Sequence, residues 1–367
     1  MRIHIGEPSF GETELNNVTE AMKSGLISSK VGTFIGEFEE KFATYCGGKY
    51  AVTTSNATAS LHLALEALGI GEGDEVIVPM LTFIATANAV TYTKAKPIFV
   101  DSHPDYWCLD PAQVERAITP RTRAIIPVHL FGHPCDMDTL MDIAKRHNLY
   151  VIEDAAESPG AEYRGRKAGS FGDVNCFSFF GNKIISTGEG GMCLTSDKEL
   201  AEKITLLKDH GMDPDKHYWH YTIGYNYRMT NLQAAVGAAQ VEKLDEFIRI
   251  RRKLAGIYHS LLKDIKGIVL PSEMPWAKHV YWMYPVLIED KFGLSRDGLI
   301  ERMGKLDIET KPFFYPLHTM PPYNEGKTFP VGEELSRKGI CLPCSAKLNE
   351  QDIELVVQAI GGISASL

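Results

Sequence analysis

A chain of 367 residues is too long for one small domain and suits a large domain joined to a smaller one. Hydrophobic residues make up 44% and charged residues 23%, an ordinary globular balance that can bury a sizeable core. The net charge of −9 argues against a nucleic-acid binder, because phosphate backbones need clustered Lys and Arg, but leaves room for a small phosphorylated ligand.

The opening residues Met1 to Pro8 lack a cationic segment followed by an apolar run, so no signal peptide is expected. No apolar run reaches the length of a membrane span, about 18 residues. Seven scattered cysteines predict free thiols in a reducing cytoplasm. Cys341 and Cys344 form a CxxC, but no second pair or nearby His completes a zinc site, so no metal is expected.

In chain order, a helix is predicted over residues 58–68, with Leu61, Leu65 and Leu68 at helical spacing and Ser55, Asn56 and Thr58 as caps. Short apolar runs follow at 75–78, 97–100, 124–128, 150–153 and 176–179, with a helix over 137–147 among them. Strands apolar on both faces belong to a covered, mainly parallel sheet, so the class is α/β. From 232 to about 262 the pattern is helical, and its Arg249, Arg251, Arg252 and Lys253 read as a solvated face. A strand over 281–288 and helices over 296–306 and 351–360 complete a smaller α+β domain. The boundary is set near 245, giving domains 1–245 and 246–367.

Asp154 follows the β-like run Tyr150-Val151-Ile152-Glu153, at the carboxyl end of a strand where open α/β sheets bind ligands. Such an acid can equally cap the next helix. Lys183 follows Ser178-Phe179-Phe180-Gly181-Asn182 and precedes the glycine-rich Thr187-Gly188-Glu189-Gly190-Gly191. A lysine held there is partly desolvated, which lowers its pKa and leaves an amine able to attack a carbonyl. Ser55-Asn56-Ala57-Thr58 starts a helix and can hold an anion as readily as cap the turn. Phosphate cup, acid and lysine together are the parts a pyridoxal 5′-phosphate site requires.

These segments resemble the nucleotide-sugar aminotransferases of the DegT/DnrJ/EryC1/StrS family over nearly the whole chain. Gly73-Asp74-Glu75-Val76-Ile77-Val78-Pro79 and Gly224-Tyr225-Asn226-Tyr227-Arg228-Met229-Thr230-Asn231 carry the likeness further. The family usually reads Asn-Gly-Thr where this chain has Asn56-Ala57-Thr58. The resemblance implies the aspartate-aminotransferase fold type I, with pyridoxal 5′-phosphate held by Lys183 as a Schiff base. It implies Asp154 on the pyridine nitrogen, its pKa lowered by that cation, and Ser178, Ala57 and Thr58 on the phosphate. Phe83 matches the aromatic stacked on the ring, and Glu157 the position near the ring hydroxyl.

Asn226 resembles a residue reaching the phosphate from a neighbouring subunit, which makes the expected assembly a homodimer with shared active sites. Arg228, Tyr315, His318 and the segment Ser28-Ser29-Lys30 are candidates for sugar and diphosphate contacts, with Lys311 a further cation. Residues 129–137 and 312–321 are similar, more narrowly, to the subgroup that aminates C4 of GDP-4-keto-6-deoxy-D-mannose. L-glutamate is the implied amino donor. A UDP- or dTDP-linked keto-sugar is the alternative substrate. A sugar dehydratase of the same family would carry histidine in place of Lys183, and a regulator on this scaffold would lack the lysine or add a basic DNA-binding segment.

Overall fold

The computed structural model describes residues 2–367. Its central sheet has seven strands, in the order Tyr50–Thr54, Gly191–Thr195, Val174–Ser178, Tyr150–Asp154, Thr122–Ile125, Glu75–Pro79 and Lys96–Val100. The last five run parallel, and Gly191–Thr195 is antiparallel to both neighbours. Strands Glu75–Pro79 and Val174–Ser178 are buried at every position, the polar Glu75, Asn175 and Ser178 included.

The helix Met137–His147 matches its predicted bounds: Asp136 caps the Thr139 N–H, and Asn148 ends it in the left-handed region at φ 52°. The helical run beyond 231 is two helices, Asn231–Glu242 and Leu244–Leu262. They part where the Lys243 N–H bonds back only three residues, to the Gln240 carbonyl, while its ammonium is held 2.6 Å from Glu14. The strand expected from 281 begins at Tyr284, because Tyr281 sits at φ 49° and cannot extend.

A second sheet of four antiparallel strands, Ile268–Val269, Tyr284–Ile288, Gly339–Leu342 and Lys311–Pro312, packs with the helices Leu244–Leu262, Arg296–Lys305 and Glu350–Ala365 around its own apolar cluster. The basic stretch of the long helix differs from expectation at one position. Arg251 is buried at 1% exposure, and its Nη1 donates to the carbonyls of Trp282 (2.8 Å) and Cys344. Its aliphatic neighbours Ile248, Leu254 and Ala255 turn that side of the helix inward, so only part of the run is solvated. No helix among the described residues is long and apolar enough to cross a membrane. All seven cysteines are free and buried, Cys341 and Cys344 included.

Candidate active site

The parallel strands end at a cavity of about 730 Å³ lined by Ala57, Thr58, Phe83, Asp154, Glu157, Ser178 and Lys183. The start of the Ala57–Ala67 helix forms one wall. Asn56 is its cap, accepting from the Ala59 N–H at 2.9 Å, and the N–H groups of Ala57 and Thr58 have no acceptor among the described residues. Ala57 is the first helical residue, a position that takes a methyl group without strain. Behind this turn stands Gly191: a Cβ there would lie 2.4 Å from the Asn56 carbonyl carbon, so only glycine lets strand and helix start meet. With the Ser178 hydroxyl on the same cavity, the donors fit a phosphate.

Asp154 closes its strand with a buried carboxylate. Thr86 Oγ1 donates to its Oδ2 at 2.7 Å and the Ala156 N–H to its Oδ1 at 3.2 Å. Burial holds this carboxyl above the ordinary aspartate range, against the lowering by those two donors. The lowered value expected for Asp154 presupposes a cationic partner, and in the protein alone desolvation outweighs every favourable contact. The residue before it, Glu153, is wholly buried and accepts from His129 Nε2 and from the Gly169, Phe171 and Gly172 N–H groups, which pins the strand end.

Lys183 lies in the loop between the strands Val174–Ser178 and Gly191–Thr195, its N–H donating to the Phe180 carbonyl. Its side chain is 11% exposed. Nζ sits 3.7 Å from Glu157 Oε1 and 3.7 Å from the centre of the Trp282 ring. Burial pushes the amine below the usual lysine range, against the pull of Glu157 and Asp154, and the Lys311 charge adds to the lowering. Glu157 is itself raised to about 7 by burial, countered by Lys183 and by the Phe131 N–H, which donates to Oε2 at 2.7 Å. Phe131 reaches it from the left-handed region, at φ 55°.

Phe83 is 56% exposed, so it is a cavity wall and not core; its ring centre is 6.0 Å from that of Phe314. Sequence reasoning missed Trp282 and Thr86. The Trp282 ring reaches Lys183 because its N–H donates to the Phe131 carbonyl and its indole Nε1 to the Asn182 carbonyl at 2.8 Å. Those contacts join segments a hundred residues apart or more, and no local pattern announces them.

The outer candidates are not brought to this cavity by the same chain. Ser29, Lys30 and Arg228 line a separate cavity of about 1290 Å³, where Lys30 Nζ is 3.0 Å from Asp209 and Arg228 also pairs with Asp209. Ser28 is exposed and its carbonyl accepts from the Asn231 N–H; Asn226 is exposed and bridged to Asp209. Tyr315 is exposed beside the cavity lining. His318 is buried in the turn Leu317–Thr319, with Nε2 2.9 Å from Glu333 and its ring edge-on to Phe329.

The model of the DegT/DnrJ/EryC1/StrS aminotransferase family matches residues 8–361. The chain is similar to a protein of Caulobacter vibrioides named GDP-perosamine synthase, 49% identical over 98% of this chain and 97% of that one. A protein of the same name from Escherichia coli O157:H7 is 46% identical over 98% and 97%. Among solved structures, Streptomyces venezuelae DesV in complex with a ketimine intermediate superposes with a TM-score of 0.90 at 38% identity, covering 96% of this chain and 94% of that one. The chain therefore belongs to the DegT/DnrJ/EryC1/StrS aminotransferase family, and shares its fold and its pyridoxal phosphate cofactor.

Proposed function

We propose that this chain moves the amino group of L-glutamate to C4 of GDP-4-keto-6-deoxy-D-mannose, giving GDP-perosamine, and that it works as a homodimer in the cytoplasm. The chemistry rests on one observation: the buried Lys183 amine shares a cavity with the Asp154 carboxylate and the donors at the Ala57–Ala67 helix start. The choice of sugar rests on the relatives named GDP-perosamine synthase.

Ala57, Thr58 and Ser178 would hold the cofactor phosphate, Asp154 the pyridine nitrogen and Lys183 the aldehyde carbon. Bound pyridoxal phosphate supplies an electron sink for negative charge at the amino donor's α-carbon. Lys183 Nζ, as a free amine, would carry the proton from that α-carbon to the cofactor's C4′ and, in the second half of the reaction, from C4′ to C4 of the sugar. Burial favours its neutral, basic form. Glu157 and the Trp282 face then receive the ammonium. A lysine here, where a dehydratase of the family would carry histidine, favours amination.

The homodimer is supported by Asn226, Lys30 and Arg228 lying away from their own chain's Lys183 cavity, and by the apolar surface of Tyr218, Tyr221 and Ile223, which is 68–88% exposed. Free cysteines throughout suit a reducing compartment.

Borohydride reduction of the yellow protein should fix the cofactor to the peptide containing Lys183, and label on another lysine would defeat the assignment. Incubation with L-glutamate and a panel of keto-sugar nucleotides, read by mass spectrometry, tests the substrate. Preference for a UDP- or dTDP-linked sugar would overturn the GDP reading.

A further inference from the structure

Two cations line the 730 Å³ cavity, Lys183 and Lys311, against three acids, Asp154, Glu157 and Glu189. Lys183 is committed to the reaction and must alternate between amine and ammonium to move protons, so it cannot serve as a standing positive charge. Lys311 has no such duty. It is half-buried on the strand Lys311–Pro312, its backbone fixed opposite Cys341 in the second sheet. Among the described residues its ammonium has neither an ion-pair nor a hydrogen-bond partner, whereas the candidate cations of the outer cavity, Lys30 and Arg228, are both tied to Asp209.

We infer that Lys311 binds the α-carboxylate of the amino donor. This inference rests on the aminotransferase reading above. The donor's α-carbon has to come within reach of Lys183 Nζ, and its carboxylate is one bond from that carbon. The cation that receives it therefore belongs on the wall of the Lys183 cavity itself. A sugar diphosphate is different: it hangs from C1, across the pyranose ring from the reacting C4, so its cations belong further out. Of the charges this chain itself puts on the cavity wall, removal of Lys311 would leave an incoming carboxylate facing Asp154, Glu157 and Glu189, and like charges repel it. The same ammonium, by its charge, helps keep the Lys183 amine neutral.

The test uses holoenzyme of wild type, Lys311→Met and Lys311→Arg, each with its melting temperature and cofactor absorbance recorded. L-glutamate and 2-oxoglutarate are titrated while the cofactor spectrum is followed, which reads binding apart from turnover. A charge-assisted contact of this kind corresponds to a roughly tenfold to hundredfold loss of affinity in K311M. K311R should recover most of it, and KM for the keto-sugar nucleotide should move less than about threefold. L-isoglutamine, whose α-carboxylate is an amide, should bind wild type and K311M alike.

Unchanged dicarboxylate affinity in K311M, or an equal loss for the sugar nucleotide, overturns the assignment; the second result would give Lys311 to the diphosphate. Should K311M fail to hold cofactor, Lys311→Gln and K311R decide by the same titrations. A wild-type protein that binds cofactor yet shows no spectral change with L-glutamate would instead sink the donor reading, a failure separate from the role of Lys311.

Discussion

Replacing Gly191 by alanine would probe the phosphate cup from behind. The added Cβ would stand 2.4 Å from the Asn56 carbonyl carbon, 2.6 Å from its oxygen and 2.7 Å from the Ala57 nitrogen, all backbone atoms that no rotamer change can move aside. Gly191 itself cannot retreat, because it is paired with Thr54 on one side and Ser178 on the other. The helix start must therefore give way by about 1 Å to regain ordinary van der Waals separation. Overpacking of this kind costs roughly 1–3 kcal/mol of stability. The displaced Ala57 and Thr58 N–H groups would also lose geometry on a phosphate, at about 1.5 kcal/mol or more each, so cofactor affinity should fall by roughly a hundredfold. Equilibrium titration of the cofactor-free variant with pyridoxal phosphate, followed at the absorbance of the bound form, measures this. Gly361→Ala is the control, since open space surrounds that helical position. G191A protein with affinity within threefold of wild type and an unchanged melting temperature would refute the wedge.

Arg251→Met should destabilise the protein by about 2–4 kcal/mol in urea unfolding, since it strands the buried Trp282 and Cys344 carbonyls, while Arg252→Met, at a position 34% exposed, should cost less than about 1 kcal/mol. Glu157 gives a pH signature. Its pKa is raised from 4.5 to about 7, so the folded protein binds a proton that the unfolded chain has released, and stability falls as pH rises through that window. Glu157→Gln, which stays neutral, should abolish this drop, worth at most roughly 3 kcal/mol, in urea midpoints of cofactor-free protein at pH 4.5 and 7.5. A wild-type protein that gains stability relative to E157Q over this range would contradict the burial argument.

The parallel strands of the central sheet were legible from short, largely apolar segments buried on both faces, as at Val76-Ile77-Val78. The helix Met137–His147 was legible from its apolar spacing and its caps. Asp154 stood out because it ends a strand and Lys183 because it precedes a glycine-rich turn, while Ser178 was reached through the family resemblance. The break at Lys243 was not legible: neither glycine nor proline marks it, and its ammonium answers to Glu14, over two hundred residues away. Arg251 misled because a basic run looks solvated until packing shows which of its members turns inward. Trp282 and Thr86 escaped for the same reason, since their roles lie in distant contacts with Asn182 and Asp154. Ser29, Lys30 and Arg228 line a cavity apart from the one holding Lys183 in their own chain, and Ser28 and Asn226 are exposed, so a role for them rests on the proposed second chain, a matter one chain's residues express only weakly.

The indole of Trp282, packed 3.7 Å from the Lys183 nitrogen, makes the protein its own optical gauge. Tryptophan emission responds to a charge appearing against the ring, and this ring is one of only four indoles in the chain. Gain or loss of a proton at that nitrogen should therefore register in the fluorescence. The chemistry of one nitrogen can be followed in real time without a label, provided the signal of Trp107, Trp219 and Trp276 is subtracted through a Trp282→Phe reference.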